Sequence, residues 1–207
     1  RMIFEKTALD EPTALRVALQ ATMGLHAAWK EGMVHADVKP QNILFDKTGC
    51  AKLIDFGLAM FVRDDVPKAG VWGSPYYMAP EQIRQEKLDL RADMYSLGAS
   101  LFHALAGRPP YEGTEVRAVT QAKLKFDAPA PSRFRPGLLP ATDQIVGRLL
   151  QRTPGLRYPT YKSLEGDLQK AIEKAAARPL SAVAPPKKNI GPGAALKKAV
   201  YTIGAMT

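Results

Sequence analysis

Cysteine is nearly absent from this 207-residue sequence, since Cys50 is the only one. A lone cysteine excludes an internal disulfide and a zinc site built on several thiolates, and it favours a reducing compartment. Long apolar runs are also missing. No stretch approaches the roughly 18 apolar residues of a membrane-spanning helix, and the first residues lack the apolar core of a signal peptide. These absences predict a cytoplasmic location.

Acidic residues are scarce near the carboxy terminus, which explains most of the formal net charge of +9. From residue 170 onward there are seven basic residues and one acidic residue, so this stretch carries +6 and the preceding 169 residues about +3. A face that binds nucleic acid would need its basic residues clustered on the folded domain. The distribution therefore predicts no nucleic-acid partner.

The chain is long enough for one domain with a real core. Periodic apolar patterns extend to about residue 177, whereas residues 178–207 are rich in alanine, proline, lysine and glycine without periodicity. Such a composition cannot bury enough apolar surface to fold by itself. We therefore predict a folded domain over 1–177 and a linker or disordered tail over 178–207.

Local patterns predict mostly helices. Asp10 is suited to cap a first helix, which gives way to a short β-prone piece at 33–34. Two β-prone runs, 43–45 and 51–54, flank a polar turn and predict a hairpin. Irregular chain is predicted over about 58–80. Further helical patterns lie at about 90–106, 114–125, 141–152 and 161–177.

Polar residues with complementary chemistry cluster between residues 35 and 57. Asp37 offers a carboxylate that can accept a proton, and Lys39 offers an ammonium for a phosphate. Asn42 and Asp55 offer hard oxygen ligands suited to Mg²⁺. Gly57 gives the backbone freedom to turn after Asp55. These groups are the ones that transfer of a phosphoryl group to a hydroxyl requires.

Three motifs in order resemble the signature set of the protein kinases: HADVKPQN at 35–42, DFG at 55–57 and APE at 79–81. The resemblance implies an α+β fold of the kinase large-lobe type, mainly helical with short β-hairpins at the catalytic loop. It also implies ATP as phosphate donor, Mg²⁺ or alternatively Mn²⁺ as metal, and a protein substrate. The sequence GSPYYMAPEQ at 73–82 is most similar to bacterial serine/threonine kinases.

The resemblance assigns roles to the residues of the catalytic loop. Asp37 would be the catalytic base, and Lys39 would contact the transferred phosphate. Asn42 and Asp55 would bind the metal and, with Lys39, the nucleotide. Leu44 would lie under the adenine ring.

The same resemblance implies serine or threonine as the acceptor. Lys39 stands two residues after Asp37, where tyrosine kinases usually carry an Ala-Ala-Arg pattern. Ser74 stands where serine/threonine kinases place a hydroxyl that touches the base and the lysine, so it would belong to the substrate-binding site.

Other motif residues would support the site structurally. His35 and Phe56 would stack in an apolar column, and Asp93 would hold the catalytic-loop backbone. Glu81 would pair with Arg157 in a buried salt bridge. The full supporting set is His35, Phe56, Gly57, Glu81, Asp93 and Arg157.

The sequence departs from the family pattern at residue 36. Most protein kinases carry arginine directly before the catalytic aspartate, and that arginine binds a phosphate on the activation loop. Ala36 cannot do so, and residues 58–73 contain no serine, threonine or tyrosine. We therefore expect activity that does not depend on phosphorylation of the activation loop.

A second departure is that the 207 residues contain no glycine-rich phosphate loop and no strand lysine of the family's amino-terminal lobe. We expect that lobe to belong to a longer protein, and the isolated chain to be inactive. The basic tail could also precede a membrane segment beyond residue 207. The chain would then be the cytoplasmic domain of an anchored kinase.

Two other functions stay open. A pseudokinase that serves as a scaffold would fit the fold, but the presence of Asp37, Lys39 and Asn42 argues against it. A small-molecule kinase would share the base and the metal ligands, but the APE segment at 79–81 and the helix with Asp93 disfavour it. A glycine-rich loop and a strand lysine upstream would distinguish the enzyme from the scaffold.

Overall fold

The computed structural model describes residues 8–61 and 73–178. Helices dominate these ranges and strands are short, which confirms the predicted α+β class. The helices are α1 (Glu11–Lys30), α2 (Pro80–Ile83), α3 (Leu90–Ala106), α4 (Val116–Lys125), α5 (Pro140–Leu149) and α6 (Tyr161–Ala176). The strands are β1 (Met33–Val34), β2 (Ile43–Phe45), β3 (Ala51–Leu53) and β4 (Met60–Phe61). Within the described ranges, no helix combines the length and apolar character needed to cross a bilayer.

Helix α1 begins where the sequence predicts because Asp10 caps it. The Asp10 carboxylate accepts the backbone N–H of Thr13 at 2.9 Å. Apolar residues recur along one face of the helix, and Leu25 is among those fully buried. This face packs against α6, α3 and β3. The ring of His26 on α1 lies 5.8 Å from that of Tyr161 on α6, between centroids.

Helix α3 is the centre of the core, with nearly every residue buried. Asp89 caps its start by accepting the N–H of Arg91, and Gly107 ends it with a left-handed φ of 72°. Gly98 faces α5 so closely that a Cβ there would lie 2.6 Å from the Cβ of Leu149. Glycine at this position therefore sets the distance between α3 and α5.

The predicted hairpin is confirmed, since β2 and β3 pair antiparallel with Ile43 opposite Leu53. Asp46 forms the turn between them. Its carboxylate accepts the backbone N–H groups of Thr48 and Cys50 at 2.9 and 3.0 Å. The hairpin begins at Ile43, directly after the segment that carries the predicted catalytic residues.

The prediction of irregular chain over about 58–80 is wrong at residues 60–61, and the short helix that follows this segment was not predicted. Residues 60–61 form β4, which pairs antiparallel with β1, and α2 begins at Pro80. Two residues are too few to show the alternating pattern that predicts a strand. Residues 60–61 form a strand because they pair with β1. At the other end, α6 ends at Ala176, and the predicted tail lies outside the described residues apart from Arg178.

Candidate active site

The HADVKPQN segment runs from β1 to a 3₁₀ turn over Pro40–Asn42. Asp93 of α3 holds its start, because Oδ2 accepts the N–H of His35 at 2.9 Å and Oδ1 accepts the N–H of Ala36 at 2.8 Å. Ala36 has a φ of 63°, a left-handed conformation that a residue with a side chain adopts only when its surroundings hold it. The two bonds from Asp93 supply part of that restraint.

The Asp93 carboxyl is buried among the core residues of α3. Burial raises its pKa from 3.8 to about 6, while the hydrogen bonds from the backbone of His35 and Ala36 act in the opposite direction. Taking a carboxyl out of water is costly unless its oxygens find donors. The two backbone amides are therefore what makes an aspartate acceptable here, and they tie the loop to the core.

Asp37 is the residue around which other predicted site residues collect. Lys39 Nζ donates to Asp37 Oδ2 at 2.5 Å. Asn42 Nδ2 donates to the backbone carbonyl oxygen of Asp37 at 2.9 Å and to its Oδ2 at 3.3 Å. Ser74 donates its backbone N–H to Asp37 Oδ1 at 3.3 Å, so this contact runs through the main chain. Both carboxylate oxygens are thus hydrogen-bonded, and Asp37 is 9% exposed.

The DFG segment follows β3 and is more open to solvent. Asp55 is exposed and has a φ of 62°, whereas the sequence predicted that Gly57 would supply the turn. Gly57 instead leaves room for the carboxylate. Its N–H donates to Asp55 Oδ1 at 3.2 Å, and a Cβ at Gly57 would lie 3.0 Å from the same oxygen. The ring of Phe56 lies 4.5 Å from that of His35, between centroids, and Phe56 is 40% exposed.

Asn42 and Asp55 are the residues that could hold Mg²⁺. Asn42 Nδ2 is committed to Asp37, so Oδ1 is the carboxamide atom that can serve as a ligand. Mg²⁺ keeps several waters and takes one or two protein ligands together with substrate phosphates. A small donor set of this kind therefore fits the ion, and the described residues contain no larger cluster of His, Cys, Asp or Glu. Leu44 lies half-buried on β2.

Glu81 and Arg157 form a buried ion pair. Arg157 Nη1 lies 2.5 Å from Glu81 Oε1, and Nη2 lies 2.9 Å from Oε2. Arg157 also donates to the carbonyl oxygens of Gln151 at 2.8 Å and Arg91 at 2.7 Å. Its guanidinium carbon lies 4.9 Å from the centroid of the Tyr95 ring. The pair therefore fixes α2 against α3.

Sequence reasoning missed two buried polar residues near these elements. Gln82 Nε2 donates to the carbonyl oxygen of Ala36 at 2.8 Å, and its Oε1 accepts the N–H of Ala79 at 2.9 Å. Lys123 Nζ donates to the carbonyl oxygen of Met78 at 2.8 Å, and burial lowers the pKa of Lys123 well below 10.5. The three-residue spacing of Ala79 and Gln82 is that of a capping box and could have indicated the bond from the Ala79 N–H to Gln82 Oε1.

A mainly helical lobe that gathers an aspartate, a lysine and an asparagine on a loop held by a buried helix aspartate is characteristic of the protein kinase class. Residues 1–167 match the protein kinase domain family, and the chain belongs to that family. The family and the fold type predicted from the three motifs are thereby confirmed.

Curated relatives extend the comparison to individual proteins. The chain is 36% identical over 172 residues to the serine/threonine-protein kinase PknB of Mycolicibacterium smegmatis, covering 79% of this chain and 28% of that protein. It is 35% identical over 159 residues to PknB of Mycobacterium tuberculosis, covering 75% and 25%. PknH of the same species is 35% identical over 176 residues, covering 83% and 27%. The chain thus spans about a quarter of the length of these bacterial relatives.

Proposed function

We propose that the protein containing this chain transfers the γ-phosphoryl group of ATP to serine or threonine hydroxyls of protein substrates. One observation carries the proposal: the Asp37 carboxylate lies 2.5 Å from the Lys39 ammonium and accepts a hydrogen bond from Asn42. A proton acceptor beside a positive charge is what phosphoryl transfer to a hydroxyl needs. The similarity to proteins named serine/threonine-protein kinases supports the choice of acceptor.

In the proposed mechanism, Asp37 orients the substrate hydroxyl and accepts its proton as the new oxygen–phosphorus bond forms and the bond to the ADP oxygen breaks. Lys39 stabilises the negative charge on the transferred group. Asn42 and Asp55 would hold Mg²⁺, which would neutralise charge on the phosphates of ATP. Leu44 would pack under the adenine ring of ATP, and Ser74 contacts Asp37 through its backbone N–H.

The test uses the full-length protein, radiolabelled ATP and Mg²⁺, with a general acceptor such as casein. We expect Asp37→Asn to lower the rate by about 10²- to 10⁴-fold, the usual contribution of a general base. The matched control is Asp46→Asn, the same change at the exposed turn of the β2–β3 hairpin, and it should keep the wild-type rate. Label on serine or threonine of the acceptor supports the proposal.

Two outcomes would refute it. Wild-type protein that transfers no phosphate would favour the scaffold alternative. Label that appears only on small molecules would favour the small-molecule kinase.

We further propose that this activity does not depend on phosphorylation of the activation loop. Ala36 cannot bind a loop phosphate, and residues 58–73 offer no hydroxyl to carry one. Treatment of the full-length enzyme with a phosphatase should therefore leave its rate within about twofold, because no charge-assisted contact at this loop is lost. A large fall after phosphatase treatment would contradict this part of the proposal.

The 207 residues by themselves contain only part of a nucleotide site, because the phosphate loop and strand lysine that cover ATP in kinases are not among them. We propose that residues 1–177 form the folded domain and that the 207-residue chain alone transfers phosphate negligibly. We place the domain in the cytoplasm, where ATP is available and Cys50 stays reduced. Micromolar affinity of the 207-residue chain for Mg-ATP, measured by calorimetry, would contradict the proposed inactivity.

A further inference from the structure

Gln82 links two parts of the site through one buried side chain. It lies on α2, directly after the Glu81 of the APE segment, and is 8% exposed. Its Nε2 donates to the carbonyl oxygen of Ala36 at 2.8 Å, while its Oε1 accepts the N–H of Ala79 at 2.9 Å. The carboxamide therefore uses both its donor and its acceptor to join the catalytic loop to the start of α2.

The Ala36 residue that Gln82 contacts is held from both sides. Its N–H is bonded to Asp93 Oδ1 at 2.8 Å and its carbonyl oxygen to Gln82 Nε2. This residue has the left-handed φ of 63°, a conformation that the chain leaves when such restraints are removed. Asp37 follows directly, so rotation of the Ala36 peptide would turn the carboxylate away from Lys39.

Hydrogen bonds hold the residue next to Gln82 in place. Its neighbour Glu81 is paired with Arg157, whose guanidinium also bonds the carbonyl oxygens of Gln151 and Arg91. Because α2 is anchored through Glu81, the Gln82 side chain can hold the Ala36 carbonyl in a defined position relative to the core. The hydrogen bond from Gln82 to Ala36 joins two uncharged groups of the protein. The arginine that most kinases carry in place of Ala36 instead binds a phosphate.

We infer that Gln82 is a positioning residue for the proposed phosphoryl transfer: its amide holds the Ala36 carbonyl, and thereby the Asp37 carboxylate, without a phosphate on the activation loop. The inference rests on the proposed function. It assigns Gln82 an effect on the chemical step, because the bond acts on the loop that carries the base, and little effect on nucleotide binding.

The experiment compares Gln82→Met and Gln82→Glu in the full-length protein, with kcat, the KM for ATP and the melting temperature as readouts. Gln82→Met removes both hydrogen bonds. Gln82→Glu keeps the acceptor for the Ala79 N–H but loses the donor to Ala36 when it is ionised. For both variants we expect kcat at pH 8 to fall about 10- to 100-fold, as small misplacements of catalytic groups do, with KM for ATP within about twofold. Gln85→Met and Gln85→Glu, on an exposed residue three positions on, are the matched controls and should keep the wild-type kcat.

A pH series separates positioning from packing. A buried glutamate has a raised pKa, so Gln82→Glu regains an O–H donor as the pH falls from 8 to 6. Its kcat relative to wild type should then rise at least about threefold, while that of Gln82→Met should stay flat. The variant and wild type share the neighbouring charged groups, so the ratio of their kcat values reports the change at residue 82. These groups are Asp37, Lys39, Glu81, Asp93, Lys123 and Arg157.

Each other outcome overturns the inference. Wild-type kcat in both Gln82 variants would show that the link is not used. A loss that is independent of pH in Gln82→Glu, and accompanied by an equal loss of melting temperature in both variants, would assign Gln82 a packing role only. Wild-type protein without kinase activity would refute the proposed function itself, and this inference with it.

Discussion

Arg157 provides the sharpest test of the packing that supports the site. Removing one partner of a buried ion pair costs about 3–5 kcal/mol, because the remaining charge stays out of water without compensation. Arg157→Met would leave the Glu81 carboxylate, which is 3% exposed, without its partner. It would also leave the carbonyl oxygens of Gln151 and Arg91 without this donor, at about 1–3 kcal/mol for each group that stays buried. We therefore expect a loss of at least about 4 kcal/mol.

The opposite deletion should cost less. In Glu81→Gln the arginine keeps the carbonyl oxygens of Gln151 and Arg91 and the face of the Tyr95 ring. We expect about half the loss of Arg157→Met. In the double variant no buried charge is left alone, so its cost should fall short of the sum of the two single costs by more than about 1 kcal/mol.

The assay is urea unfolding of the full-length protein, with the transition of this domain identified by hydrogen exchange of the α3 amides. Arg84→Met serves as the control, because Arg84 is exposed and its nearest carboxylate oxygen, on Glu86, is 3.9 Å away. Exposed pairs of this kind contribute about 0–1 kcal/mol. If Arg157→Met cost no more than Arg84→Met, or if the two single costs simply added, the argument from burial would be refuted.

Two further predictions concern stability and its pH dependence. Folding lowers the pKa of Lys123, so above that lowered value and up to about 10.5 the unfolded chain binds a proton that the folded chain does not, and stability rises with pH. Lys123→Met lacks this group, so its free energy of unfolding minus that of wild type should fall between pH 7 and pH 10. Urea unfolding at several pH values measures this difference, and a constant difference would contradict the lowered pKa of Lys123. Gly98→Ala should cost about 1–3 kcal/mol, because its Cβ would lie 2.6 Å from that of Leu149. Unchanged urea unfolding of this variant would show that α3 and α5 separate easily.

The parts of the fold that the sequence predicted well are those with a local signal. Asp10 before a periodic apolar pattern was enough to predict the start of α1, and the polar turn around Asp46 was enough to predict the β2–β3 hairpin. The three motifs at 35–42, 55–57 and 79–81, found in this order, were enough to predict the family. The structure gathers Lys39, Asn42 and Ser74 around Asp37, with Ser74 contacting it through its backbone N–H, and the roles of these residues remain predictions.

The parts that escaped prediction depend on contacts between distant segments. Strand β4 exists because β1 pairs with it, and α2 is only four residues long. The positive φ of Asp55 could not be read from a motif in which glycine is the permissive residue. The burial of Lys123 also could not be predicted, because its acceptor, the carbonyl oxygen of Met78, lies 45 residues earlier in the chain.

The packing of α1 against α6 has a consequence for how the chain is made. These are the first and the last helix of the described residues, so α1 is synthesised before α6. The part of the α1 surface that packs against α6, which includes His26, stays uncovered until α6 has left the ribosome. Synthesis of the intervening segment of about 130 residues takes roughly 7–26 s at the usual 5–20 residues per second. During that interval the nascent chain exposes apolar surface of α1, and transiently exposed apolar surface favours aggregation.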